Sequence, residues 1–221
     1  MGLAAALGVE VARTVDDIRS DLIREMESGS VASKRELLAK LDYEVFEAVR
    51  ERGNLAFLAI GRPEKEGCYC HVNDLLRDII GTLTGSFDAV VLDGEAGIEQ
   101  INRRVLERVT HLLEISDASA RGLNVARTIQ GVARAAVRCE RAGLILNRIR
   151  GEAELGKLAI PAELTLLGRV FEDQAVRDAG IDGASLLGLP DGRFLTAVRA
   201  CLSRIGIPAS IPPSIPPRCT G

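Results

Sequence analysis

With 221 residues, 47% of them apolar and 27% charged, the chain has the balance of a globular protein and is long enough for one ordinary α/β domain. A net charge of -3 gives no pull toward nucleic acid or an anionic membrane, and 3% aromatic content without Trp argues against base-stacking platforms. No run approaches the ~20 apolar residues that span a bilayer.

The opening Met1 to Leu7 is apolar but has no basic flank, and Glu10 comes too early for a signal peptide. Thr14-Val15-Asp16-Asp17 predicts a capping box opening a helix through about Met26. After Gly29-Ser30, the spacing of Leu37, Leu38, Leu41, Val45, Phe46 and Val49 predicts a second helical face, ended by Gly53. Leu55 to Ile60 is a continuous apolar run, which suits a fully buried strand, and Val72 to Leu83 reads as helical. Phe87 to Asp93 predicts another strand, β-branched and closed by an acid.

His111 to Ser116 predicts a strand, Ala120 to Arg141 a long helix, Leu144 to Asn147 and Leu166 to Val170 two more strands, and Asp191 to Ile205 a terminal helix. Strands alternating with helices imply βαβ units and a mostly parallel sheet with helices on both faces. The proline-rich stretch from Pro208 to Pro217 cannot donate a regular ladder and reads as an extended or disordered tail. Five cysteines, an odd number in a charged chain of this size, fit a reducing compartment better than a disulfide framework, so a cytoplasmic location is expected.

In open parallel sheets the working residues gather beyond the carboxyl ends of the strands. Asp93-Gly94-Glu95-Ala96-Gly97 would place an acid for a water-held magnesium ion beside glycines that let a turn approach phosphate; a capped turn is the alternative. Ser116-Asp117-Ala118-Ser119 has the composition of a helix N-cap. Asn147-Arg148 offers a donor and an acceptor that match an adenine edge, or a turn.

Cys68-Tyr69-Cys70 can present two thiolates to one soft or borderline ion such as zinc, copper(I) or nickel. A closed tetrahedral site needs four ligands, so two chains each giving Cys68 and Cys70 would complete it; two half-buried cysteines at a helix start are the alternative. Cys139 and Cys201 fall in helical patterns and read as core, and Cys219 lies in the tail. Gly151 to Leu158 nearly matches G-x-x-x-x-G-K-[S/T] but is rejected. Leu158 replaces the metal-binding hydroxyl, Glu152 and Glu154 repel phosphate, and Pro161 interrupts the following helix.

Gly61-Arg62-Pro63, Gly67-Cys68-Tyr69-Cys70 and Asn73 with Leu75-Leu76-Arg77 resemble the cysteine segment of the carbon monoxide dehydrogenase maturation ATPases of CooC type. Val90 to Asp93 with Glu95-Ala96-Gly97, Glu99 and Arg103-Arg104 resembles their magnesium-side switch segment. Ser116-Asp117 with Ser119, Gly122-Leu123 and Ala126 is similar to a later phosphate-side loop, and Leu146-Asn147-Arg148 to the adenine-recognition strand end. The resemblance runs from about Leu3 to Ile205, in a family that belongs with MinD and the nitrogenase iron protein.

It implies a P-loop NTPase-like three-layer α/β domain over residues 1–206, followed by a tail at 207–221. It also implies ATP or ADP with Mg2+, a homodimer, a Ni2+ or Zn2+ ion at Cys68 and Cys70, and nickel delivery to a carbon monoxide dehydrogenase. By the same resemblance, Asp93, Gly94 and Gly97 would lie on the magnesium side, Asn147 and Arg148 at the adenine, and Asp173 near the base. Phe171 stands where the family often has Pro.

Family members begin with a strand and a glycine-rich loop ending Gly-Lys-Thr/Ser, whereas Met1 matches the stretch after that unit of roughly 30 residues or more. The resemblance therefore implies an N-terminally incomplete domain whose ATP hydrolysis is lost. Two alternatives remain at this stage. One is a non-catalytic metal-binding dimerisation module; the other is a MinD- or ParA-like partitioning relative, whose usual amphipathic membrane helix the proline-rich tail does not match.

Overall fold

The computed structural model describes residues 2–29, 34–61, 81–82, 85–94, 108–136, 138–156 and 158–208. The chain divides into two compact units, Met1–Val90 with Gly183–Leu187, and Val91–Asp182 with Gly188–Gly221.

The first unit is built on a helix pair. After the short α1 (Gly2–Leu7), α2 (Val15–Glu27) opens on the expected capping box: Thr14 Oγ1 accepts from Asp17 N at 3.1 Å, and the Asp17 carboxylate accepts from Thr14 N at 2.8 Å. Val15 and Asp16 donate their backbone N–H groups to the carbonyls of Ala59 and Ile60, both at 2.9 Å. With Ile18 N bonded to Thr14 O, all four leading amides of α2 have partners, so this helix end has no spare donor for an anion.

Val15, Ile18 and Leu22 pack on Leu41, Val45 and Ala48 of α3 (Lys34–Ala48), with Ile23 and Leu58 at the margin. Burial of each large aliphatic side chain there contributes about 1.5–3 kcal/mol. Phe46, expected on this face, is 67% exposed; Leu37 and Leu38 fall outside the described side chains. Above the core, Arg13 pairs with Asp21 and Glu44, Arg24 with Asp21, and Lys40 with Glu25.

The run from Leu55 is not a buried strand of a parallel sheet. β1 (Arg50–Arg52) and β2 (Leu55–Phe57) form an antiparallel hairpin, with Arg52 opposite Leu55. Gly53, at φ +63°, takes the first position of the two-residue turn, where a left-handed backbone favours glycine. Arg52 then donates to the carbonyls of Leu7 and Gly8 and to Ser185 Oγ.

The second unit is a three-layer α/β sandwich. β3 (Arg108–Ser116), β4 (Arg138–Ile149) and β5 (Leu166–Phe171) form a parallel sheet in the order β3-β4-β5. Because successive side chains on a strand face opposite ways, Leu144 and Leu146 meet Leu123 and Ala126 of α4 (Ala120–Ala136) on one face. Ile145 instead joins Leu167, Val170, Cys201 and Ile205 on the other, where α7 (Arg193–Ile205) packs. Two short helices, α5 (Glu152–Leu155) and α6 (Gln174–Asp182), complete the unit.

Gly168 of β5 lies so close to α7 that a Cβ there would strike the Cys201 sulfur. Gly206 ends α7 at φ +90°, and Arg141 Nη1 donates to Ile205 O at 2.8 Å.

Two further sequence expectations need correction. The helix stops at Ala136 rather than Arg141, because Arg138 and Cys139 are drawn into the ladder opposite Arg108 and Val109; Cys139 is therefore a strand residue. Residues 87–94 form no strand: they have no ladder partner among the described residues, and Val91 is 88% exposed. Among the described residues no helix is long and apolar enough to cross a membrane. The expected helix at Val72 to Leu83 lies largely, and the tail from residue 209 wholly, outside the described residues.

Candidate functional site

Because β3, β4 and β5 are parallel, their carboxyl ends share one edge of the sheet. Three turns leave that edge, and each carries polar residues singled out from sequence. At the end of β3, Ser116 Oγ donates to Asp117 O at 3.0 Å, and Ser119 Oγ donates to Asp117 Oδ1 at 2.6 Å. Ser119 Oγ in turn accepts from Gly122 N at 3.0 Å, capping α4. A Cβ on Gly122 would fall inside contact distance of Asp117 Oδ1 and Ser116 Oγ, so the closeness of this turn depends on glycine.

At the end of β4, Asn147 Oδ1 accepts from Arg148 N at 2.9 Å, a bond that leaves the donors of its amide group unused. Arg148 takes φ +58°, the one non-glycine positive φ among the described residues, and its side chain is exposed. At the end of β5, Asp173 Oδ1 accepts from Ala175 N at 3.0 Å and Val176 N at 3.4 Å, so this acid caps α6. The neighbouring Glu172 pairs with Arg150 at 3.4 Å.

Asn147, Arg148 and Asp173 are thus brought to one sheet edge, together with the Ser116–Gly122 turn. Asp93 and Gly94 are exposed, and the Asp93 carboxylate has no hydrogen-bond partner among the described residues. Cys68, Cys70 and Gly97 lie outside the described residues. Among the described residues no group of three or more His, Cys, Asp or Glu is placed to hold a metal ion.

The near-match at Gly151 to Leu158 is no phosphate loop. α5 spans only four residues, and Glu154 turns its carboxylate back onto Arg150 N at 3.1 Å, placing negative charge where an anion would sit.

Glu114 was not foreseen as a polar residue of interest. It lies on β3, 5% exposed, facing α4, where Gln130 Nε2 approaches Glu114 Oε2 at 3.5 Å while Glu114 Oε1 has no partner. Burial raises its pKa to about 7, partly opposed by the positive charge of Arg134. The available signal was a lone acid inside the apolar run Leu112-Leu113-Glu114-Ile115.

No protein-family model matches the chain. It is 35% identical over 195 residues to MJ0685 of Methanocaldococcus jannaschii, described as an uncharacterized ATP-binding protein, covering 86% of this chain and 76% of that protein. A second such ATP-binding protein of the same organism, MJ0823, is 32% identical over 183 residues, 79% of this chain and 71% of its own length. The carbon monoxide dehydrogenase accessory protein CooC of Rhodospirillum rubrum is 29% identical over 145 residues, 63% of this chain and 55% of its own.

Among solved structures, the MinC:MinD cell division protein complex of Aquifex aeolicus aligns with a TM-score of 0.61 at 16% identity, over 96% of this chain and 81% of that one. A ParA family ATPase from Chlorobium tepidum TLS aligns at 0.57 and 17% identity, over 89% and 77%. The fold is therefore the α/β fold of MinD and ParA, and the chain belongs to the family of the ATP-binding proteins MJ0685 and MJ0823.

Proposed function

We propose that this chain is a nucleotide-binding accessory protein of the MinD class whose cargo is nickel, held by Cys68 and Cys70 across a homodimer and passed to a nickel-dependent carbon monoxide dehydrogenase. The observation that carries the nucleotide half is the convergence of the Ser116–Gly122 turn, Asn147-Arg148 and Asp173 at the carboxyl edge of one parallel sheet, where ligands of such sheets bind. The ATP-binding relatives support it, and the similarity to CooC supports the nickel half. Asn147 would offer its amide group to the adenine edge, and Asp93 would face a magnesium ion shared with the phosphates.

The 221 residues contain no Gly-Lys-Thr or Gly-Lys-Ser sequence. Phosphoryl transfer relies on positioned charge around the transferred group. ATP turnover by this chain alone is therefore expected to be lost, and measurable turnover would overturn that part.

Nickel titration with sedimentation tests the cargo reading. One ion per two chains with a matching shift from monomer to dimer is expected, and both should vanish in the Cys68→Ser, Cys70→Ser double variant. Metal content and assembly that survive the double substitution would leave the partitioning-type relative, favoured by the MinD and ParA fold, as the better reading.

A further inference from the structure

We infer that the side chain of Glu114 is a proton-operated latch between β3 and α4, closed when the carboxyl is neutral and loosened when it ionises. Its place in the fold argues for this. Glu114 points from β3, which pairs on one side with β4, toward α4 and is 5% exposed. Among the described residues its hydrogen-bond partner is Gln130, itself 3% exposed, whose amide group reaches Glu114 Oε2 only at 3.5 Å. Glu114 Oε1 has no partner at all among the described residues. A neutral carboxyl tolerates that surrounding at modest cost, whereas a carboxylate left with one long hydrogen bond and no full counter-charge does not.

Among the described residues, few charged or titratable groups face Glu114. From α4, the helix packed on this face, Arg134 is the positive charge felt by Glu114. From β4, the residue in register is Leu144, buried and apolar, with Gly143 and Ile145 on either side. On β3 itself the same face carries Leu112 and Ser116. Arg134 is exposed in the last turn of α4, so its attraction is shared with water and does not offset the burial of Glu114. The carboxyl accordingly titrates at about 7 rather than in the ordinary range near 4.

The sign of the linkage follows. With the folded pKa above the unfolded one, the folded chain holds a proton that the unfolded chain has released. The contribution is complete at acid pH and declines as pH rises from the ordinary carboxyl range to about 7. The element that loosens is α4, whose first turn is tied through Ser119 and Gly122 to the turn leaving β3. The latch therefore couples pH to the geometry of one of the three strand-end turns. Neither nucleotide nor metal enters it, so its failure would leave the proposed function untouched, and the reverse.

The test uses the full chain, with carboxyl-carbon NMR to follow the Glu114 titration and amide hydrogen exchange, corrected for intrinsic rates, to follow α4. The parent should show a Glu114 midpoint near 7 and a parallel loss of α4 protection, and Glu114→Gln should show neither. Arg134→Gln should move the midpoint to higher pH, because the positive charge that favours the carboxylate has gone. A Glu114 midpoint in the ordinary carboxyl range, or α4 protection that stays level through the titration, would overturn the latch. Should Glu114→Gln fail to fold, the parent titration and the direction of the Arg134→Gln shift still decide the matter.

Discussion

The α2–α3 pair and the β3–α4 contact solve the same packing problem in opposite ways. In the first, Ile18, Leu22, Leu41 and Val45 make a core at 2% exposure or less, and the ion pairs Arg13–Asp21 and Lys40–Glu25 lie at its rim. In the second, Leu123, Ala126, Leu144 and Leu146 make a comparably buried core, but Glu114 and Gln130 are buried beside it. A helix interface can therefore be close-packed and still carry a titratable weakness, and the difference lies in one side chain rather than in the quality of packing.

The largest effect should come from removing the shared feature. Leu41→Ala and Leu144→Ala each empty a site that is fully buried, and each should cost about 2–5 kcal/mol in denaturant unfolding. If the two units unfold independently, each variant should shift only its own transition; a common shift would show that they melt together.

A smaller loss, about 1 kcal/mol, is expected for Thr14→Ala, which removes the side chain that caps α2. That cap also sets the pH behaviour of its region. The Thr14 backbone and side-chain hydrogen bonds hold the Asp17 pKa below its ordinary value. Its contribution is present above the ordinary carboxyl range and lost as pH falls through the folded value. Glu114 works in the other direction, so acid should weaken the α2 end while neutral pH weakens the β3–α4 contact. Unfolding curves at a series of pH values, read by probes on α2 and on α4, should separate the two slopes; slopes of the same sign would break the contrast. The smallest effect should be that of Lys40→Ala, a half-exposed pair with Glu25, at below about 1 kcal/mol and shrinking in high salt.

Much of the second unit was legible in the residues. His111 to Ser116 and Leu166 to Val170 read as strands and Asp191 to Ile205 as a helix, and the structure has each of them. Local signals of that kind need no partner to be read. What failed depended on partners. Leu55 to Ile60 looks like a core strand until Gly53 turns its first three residues back on Arg50 to Arg52. Arg138 to Arg141 looks helical until β3 supplies a ladder, and Phe87 to Asp93 looks like a strand although none of the described residues pairs with it.

The candidate site was legible in the same measure. Pattern places Asn147 and Arg148 at a strand end, and only resemblance places Asp173 near the base, yet neither shows that Asp173 spends its carboxylate on the amides of α6. Glu114 escaped notice because a single acid in an apolar run acquires meaning only when α4 covers it.

The bond from Arg141 to the last carbonyl of α7 has a practical consequence for anyone attaching this molecule to something else. Arg141 stands near the amino end of β4, so α7 finishes there, across the sheet from the edge that carries the three turns. Gly206 turns the backbone at that spot, and whatever follows Ile207 sets out from the far side. A surface anchor or fluorescent label joined beyond α7 therefore starts its path where it does not crowd Ser119, Asn147 or Asp173.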